Sequence, residues 1–234
     1  MEYLRSCAKE IGITISVEQL SQFEQYYKML IEKNKVMNLT AITEKKEVIV
    51  KHFLDSIAPM SKVIFSKKHL LDLGTGAGFP GIPLKIMNPD CSITLLDSLN
   101  KRVLFLNEVI EALSLEKIEA IHGRAEEIAR KKEYREQYDL VCSRAVANLS
   151  TLSEYCLPFV AMNGYFISYK SGNVEEELEK SKGAIYLCGG KCESVDHFML
   201  PDSDISRSLV AIRKVKKTPK QYPRKSGTPS KNPL

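Results

Sequence analysis

Residues 69–89 read HLLDLGTGAGFPGIPLKIMNP, and no other stretch constrains the chain as strongly. Leu70, Leu71 and Leu73 make a short apolar run; Gly74, Gly76 and Gly78 follow at every second position, and an apolar segment then opens beside Pro80 and Pro83. That order predicts a strand, a glycine-rich turn and a helix. Glycines let the backbone turn sharply and come close to a bound molecule. The first helical turn beyond them presents free N–H groups and the positive end of its dipole, and Pro80 suits that turn because its missing N–H costs nothing there. A ligand on the turn is therefore expected, and its identity has to come from the flanking residues.

Short apolar runs recur downstream at Leu70–Leu73, Ile93–Leu96, Ile118–Ile121, Leu140–Cys142, Tyr165–Ser168, Val195–Met199 and Leu209–Ile212. Helical patterns follow most of them, at Ile82–Met87, Lys101–Leu113, Ala125–Lys132, Leu149–Val160 and Val174–Lys182. Alternation of this kind implies an α/β protein with a doubly wound, mostly parallel seven-stranded sheet covered on both faces. The last two strands are joined only by PDSDISR, which predicts an antiparallel hairpin. Before the glycine turn the chain reads as helix. Val17, Leu20, Phe23, Tyr27, Leu30 and Ile31 recur at helical steps behind Ser16 as N-cap, and Val48, Phe53 and Ile57 repeat the pattern up to Pro59. The division expected is a helical extension over 1–60, a core domain over 61–213 and a tail over 214–234.

The tail carries the charge asymmetry. Residues 213–234 hold eight of the 34 Lys and Arg and none of the 29 Asp and Glu, so the remainder is slightly acidic although the whole chain is +5. Clustered cations suit phosphates, and the bland alternative is a solvated tail. Its prolines at 219, 223, 229 and 233 argue against a helix and for an extended strap. Six scattered cysteines do not form a disulfide framework, so reduced thiols are expected. Cys188 and Cys192 in CGGKC, with His197 beyond, lack a matching second pair; a glycine turn between strands is the better reading, and no metal is expected. No apolar run is long enough for a membrane helix and MEYLRSCAKE has no apolar leader segment, so a cytoplasmic protein is expected. Nothing marks a dimer interface, and a monomer is expected.

Two ligand classes fit the glycines. Gly76, Gly78 and Gly81 satisfy the dinucleotide pattern, and Asp97 stands at a strand end where a ribose-binding carboxylate belongs. Against a dinucleotide stand two prolines in the helix start and Asp72, whose carboxylate would repel a pyrophosphate. The same carboxylate would welcome a cation, and S-adenosylmethionine carries an ammonium and a sulfonium but no phosphate.

At this point a resemblance becomes plain. LLDLGTGAGFPGIPLKI, LLDSLNKRVLFL, GRAEE, YDLVCSRAVANL and TPKQYPRKSGTPSKNPL, in this order and with VMNLTAI and KHFLDS upstream, resemble the bacterial 16S ribosomal RNA (guanine-N7) methyltransferase family, RsmG or GidB. The resemblance implies the Rossmann-like fold of class I S-adenosylmethionine-dependent methyltransferases. Gly74, Gly76, Gly78 and Phe79 would hold the methionine part of the cofactor, Asp97 and Ser98 the ribose, and Ala125 and Glu126 would lie beside the adenine. Arg144, at the end of the fourth strand in SRA, would serve both cofactor and methyl transfer. The small ribosomal subunit or its 16S rRNA would be the partner, met through Lys101, Arg102, Lys170, Arg207, Lys216, Lys217 and Arg224. On that view, removing 214–234 would weaken RNA binding and spare cofactor binding.

Plainer roles compete with each assignment. Asp72 and Asp97 could cap turns, Glu126 could sit in a favourable first helical turn, Arg144 could hold a structural ion pair, and His52 reads as a core or capping histidine. Methylation at guanine N7 needs no general base, because N7 presents a lone pair and loses no proton; alignment decides the rate. The chain agrees in lacking an Asn-Pro-Pro-aromatic motif and a Pro-Cys nucleophile, and Cys142 reads as a buried thiol. A nicotinamide-dependent oxidoreductase would explain only the glycines and Asp97. A non-catalytic RNA-binding protein would leave the cofactor residues idle.

Overall fold

The structure, a computed structural model, describes residues 1–234 except 64, 66 and 145. Its sheet consists of β1 (His69–Leu73), β2 (Ser92–Asp97), β3 (Ile118–His122), β4 (Tyr138–Arg144), β5 (Val160–Ser171), β6 (Gly190–Met199) and β7 (Ser206–Lys214). The order is β3-β2-β1-β4-β5-β7-β6, parallel throughout except that β7 runs against both of its neighbours. The mostly parallel sheet and the closing hairpin thus match the expectation. Side chains on a strand point alternately to the two faces. Leu70, Ile93, Leu95, Leu140 and Ile167 meet one helical layer; Leu71, Leu73, Leu96, Val141 and Phe166 meet the other. Burial on both sides is why these strands read as unbroken apolar runs.

The first layer contains α1 (Glu2–Glu10), α2 (Val17–Met37) and a helical run through α3 (Lys45–Val48), a π-helical stretch (Ile49–Leu54), α4 (Asp55–Ile57) and a 3-10 turn (Ala58–Ser61). It is completed by α5 (Gly81–Met87) and α6 (Asn100–Ala112). The opposite layer holds α7 (Ala125–Ile128), α8 (Leu149–Cys156) and α9 (Glu175–Leu187). Ser16 and Gln19 close α2 with a reciprocal capping box, worth about 1 kcal/mol. Three glutamines then tie α2 to the core. Gln19 donates to Ile86 O, Gln22 to Leu113 O and Gln25 to Ala112 O, satisfying carbonyls that the ends of α5 and α6 leave open.

Three local expectations are corrected. The run 45–61 is not one α-helix: the π-helical stretch shifts its phase, so that His52 and Asp55 reach a cleft while Val48, Phe53 and Ile57 stay buried. The glycines of CGGKC join a helix to a strand rather than two strands, with Cys188 capping α9 and Gly190 opening β6. The tail does include a helical turn, α10 (Thr228–Lys231), which tolerates Pro229 because it lies in the first turn.

The tail also begins later than expected, since Lys214 is the last residue of β7. Its side chain is fully buried, and its ammonium donates to Leu157 O and Thr218 Oγ1 and lies 3.2 Å from Glu136. Burial lowers its pKa from 10.5 to about 8. Between those values the unfolded chain holds the proton and the folded chain does not, so the contribution of Lys214 to stability rises with pH across the window and is least favourable below it. In urea titrations the stability of wild type minus that of Lys214→Met should grow by roughly 1 kcal/mol per pH unit between pH 8 and 10. A flat difference would mean that the ammonium is solvated.

Candidate active site

The glycine turn lies at the carboxyl ends of β1, β2 and β4, where open parallel sheets hold their ligands. Gly74, Gly76 and Gly78 all have positive φ, at 72°, 63° and 107°. A Cβ on Gly74 would strike Val146 at 2.6 Å, whereas one on Gly76 would meet only Gly74 O at 4.0 Å, on the side open to the cleft. Gly78 serves differently from what was expected. It lies behind the cleft wall, where a Cβ would collide with Ile82 and Tyr26, so its smallness lets α2 close on the turn. Tyr26 then donates to Ala77 O at 2.5 Å and holds the turn from behind.

Asp72 corrects a second expectation. Its carboxylate is fully buried behind the turn and takes Thr75 Oγ1 at 2.6 Å and Gly81 N–H at 2.8 Å on Oδ2. It staples the turn to the start of α5 and does not line the cleft. Burial raises its pKa to about 6, and Oδ1 has no hydrogen-bond partner among the described residues. Asp97 is also pinned: Oδ2 accepts from Gly76 N–H at 2.9 Å and Arg102 Nη1 at 3.4 Å, and Oδ1 accepts from Leu99 N–H at 2.9 Å. Its carboxylate thereby links the glycine turn to the end of β2.

Two cavities flank this link. The larger, about 680 Å³, is lined by Gly74, Gly76, Phe79, Arg102, Arg144 and Tyr169 together with His52 and Asp55 from the helical run. The smaller, about 150 Å³, is lined by Gly74, Ser98, Ala125, Glu126, Val146 and Tyr155 on the protein core. Ser98, Ala125 and Glu126, far apart in sequence, are thus brought together beside Gly74.

Arg144 lines the larger cleft with three of its guanidinium N–H groups held. Nη1 donates to Asp55 Oδ2 at 2.9 Å and Lys51 O at 3.0 Å, Nη2 lies 3.3 Å from His52 Nδ1, and the group lies over the Phe79 ring at 5.2 Å. Asp55 also accepts from Arg207 Nε at 2.8 Å, so two guanidiniums share one buried carboxylate and a net positive charge remains. His52 stacks on Phe79 at 4.5 Å with an interplanar angle of 14°. Burial, then Arg144, lowers its pKa to about 4, so the ring is neutral at pH 7. Because Arg144 donates to Nδ1, the proton resides on Nε2 and points to Thr40 Oγ1 at 2.9 Å. His52, Asp55 and Thr40 are functional candidates that periodicity could not reveal; KHFLDS and VMNLTAI were their only signal. Ala145, the last residue of SRA, lies outside the described residues.

The cations expected to meet RNA are dispersed. Lys101 is exposed at the start of α6. Arg102 is drawn onto Asp97, Lys170 onto Ala147 O and Glu177, and Arg207 onto Asp55, all three lining the cleft. Arg224 is half-buried and already committed, clamping both oxygens of the buried Glu154. Lys216 and Lys217 are exposed at the end of the sheet opposite the cleft, because Gly190 pairs with Lys214 where β5 and β6 begin, whereas the cleft lies where the parallel strands end.

The sheet order and the turn are those of class I S-adenosylmethionine-dependent methyltransferases. Among solved structures the chain is similar to M. jannaschii TYW2 in complex with AdoMet (TM-score 0.55, 14% identity, 74% of this chain and 78% of that one). It is also similar to a putative transferase from Pyrococcus horikoshii (TM-score 0.56, 13% identity, 70% and 64%). The family model described as GidB, rRNA small subunit methyltransferase G, matches residues 19–210. The chain is 57% identical to Ribosomal RNA small subunit methyltransferase G of Lachnoclostridium phytofermentans over 97% of this chain and 94% of that protein. It is 50% identical to the protein of the same name from Bacillus subtilis, over 100% and 98%. The chain belongs to the rRNA small subunit methyltransferase G family, and it is a methyltransferase.

Proposed function

We propose that this protein transfers a methyl group from S-adenosylmethionine to N7 of a guanine in 16S rRNA of the small ribosomal subunit, in the cytoplasm and as a monomer. The observation that carries the reading is the joining of a glycine cradle, open to a ligand at Gly76, to a cleft lined by the cations Lys51, Arg102, Arg144, Lys170 and Arg207. Of the groups among the described lining residues that could accept a proton, His52 is neutral and weakly basic, both oxygens of Asp55 are taken by arginines, and Glu177 is held by Lys170 and the Leu149 N–H. Chemistry on an amino group or a ribose hydroxyl would need a proton acceptor here; guanine N7 does not. The residues present suit the cofactor: Gly74, Gly76 and Phe79 line the larger cavity for the methionine part, and Ser98, Ala125 and Glu126 line the smaller one for the nucleoside, while Asp97 lies buried between them and holds the turn through Gly76 N–H.

The cofactor supplies an electrophilic methyl on a sulfonium. The chain's own residues supply alignment and charge. Phe79 and His52 form a stacked pair in the wall of the larger cleft, which gives that wall an aromatic surface for a purine. Arg144 and Arg207, sharing one carboxylate, keep a positive charge suited to a phosphate or to guanine O6. Lys101 extends that field outside the cleft and gives salt-sensitive contact without base selectivity. Because such contacts do not read sequence, folded RNA is the expected substrate.

The test is transfer of labelled methyl into small subunits and into naked rRNA from cells lacking this protein, followed by nucleoside analysis. N7-methylguanosine is expected, and any other methylated nucleoside would reject the assignment. Asp97→Ala should lose cofactor binding by at least tenfold in calorimetry, because the buried carboxylate ties the cradle to the end of β2. Unchanged affinity would remove Asp97 from the site.

A further inference from the structure

We propose that the C-terminal segment, residues 226–234, is the outer wall of the adenine subsite, and so belongs to the cofactor site rather than to the RNA-binding surface. The inference rests on the reading above that the smaller cavity receives adenine. That cavity is lined in part by Gly227 and Ser230 of the segment, together with Ser98, Ala125, Glu126 and Val146.

The segment reaches the cavity from the other end of the molecule. Leaving β7 at the end of the sheet opposite the cleft, it passes beside Arg135, which donates to Thr218 O and Tyr222 O, and Arg130, which donates to Pro223 O. It then fastens to the two helices that border the adenine notch. On α8, Arg224 clamps Glu154, Thr151 Oγ1 donates to Pro229 O at 3.1 Å, and Ser150 Oγ donates to Leu234 O at 2.6 Å. On α7, Ser226 Oγ donates to Glu127 at 3.0 Å and Gly227 N–H donates to Glu126 Oε1 at 2.8 Å.

The last bond is the informative one. Glu126 is the acid expected beside the adenine, and its carboxylate orientation is set by the backbone of the tail. Gly227 makes the bond with φ +82° and has nothing within 4 Å of where a Cβ would stand. Space is therefore available at this position, and the left-handed backbone is what a side chain would disturb. An adenine held between such walls loses its faces to apolar atoms and keeps its edge on fixed polar groups, as nucleoside sites require. The basic composition of the tail then has a second meaning. Arg224 anchors the wall, and the exposed Lys216 and Lys217 are left at the other end of the molecule.

The experiment uses the full chain. Calorimetric titration with S-adenosylmethionine and binding of naked 16S rRNA are measured for wild type and Gly227→Val, with amide hydrogen exchange of residues 226–232 followed in wild type with and without S-adenosylhomocysteine. Expected are a tenfold or greater loss of cofactor affinity in the variant, RNA affinity within twofold of wild type, and slower exchange at 227, 228 and 230–232 when the nucleoside is bound. Should Gly227→Val fail to fold, the exchange experiment alone decides, and unaltered protection of those amides would overturn the proposal. Equal cofactor affinity in both proteins would overturn it too, as would weaker RNA binding with cofactor binding intact. Wild type that takes up no cofactor would instead overturn the adenine reading on which the proposal stands.

Discussion

Methyl transfer by Arg144→Ala is expected to fall by about 10²–10³-fold, the usual cost of deleting one preorganised donor at a reacting centre, with S-adenosylmethionine affinity within a few-fold of wild type. The guanidinium is placed by four neighbours at once: Asp55, Lys51 O, His52 Nδ1 and the Phe79 ring. Lysine at this position should not restore the rate, since a point charge cannot span three separate acceptors as a planar fork does. Single-turnover transfer into small subunits is the measurement, and a variant with the wild-type rate would strip Arg144 of its role. The same variant has a second readout that a purely structural residue would not share. Arg144 is the second-largest cause of the low His52 pKa, so its loss should move the imidazole titration upward from about 4 when followed by NMR. A titration that stays in place would mean that the two groups are not coupled.

Arg224→Ala is expected to destabilise the protein by about 3–5 kcal/mol, because it leaves a buried carboxylate without its cation. The Glu154 side chain is 1% exposed and receives Nε and Nη2 of Arg224 in a two-pronged arrangement, along with the Arg224 backbone N–H. Urea denaturation should show the loss, while rRNA affinity of the folded variant at moderate salt stays near wild type. The reverse pattern, full stability with a salt slope smaller by about one, would return Arg224 to the RNA surface.

These two arginines also show where sequence reading stops. Both stand in stretches that announce a function, SRA at a strand end and a basic, proline-rich terminus. Arg144 could be placed because the end of a parallel strand next to a glycine turn is a ligand position whatever the side chains elsewhere do. Arg224 could not, because the acid that claims it is 70 residues away in α8. A run of cations looks the same whether it meets phosphates or buried carboxylates.

The same division runs through the molecule. Strand and helix order, burial of both sheet faces, the closing hairpin and the positive-φ turn follow from periodicity and from glycine's missing Cβ. These are local properties, repeated every two or 3.6 residues, and they survive without knowledge of neighbours. The convergence of Ser98, Ala125 and Glu126 was legible only through the resemblance, since nothing local brings three loops together. Decided by tertiary structure alone were the retreat of Asp72 behind the turn, the π-helical phase shift that brings His52 and Asp55 to Arg144, and the return of the tail to the cleft end of the sheet. Each depends on which group lies within hydrogen-bonding reach across tens of residues. A carboxylate or guanidinium takes the partner that packing brings to it, and no pattern in the chain records that choice.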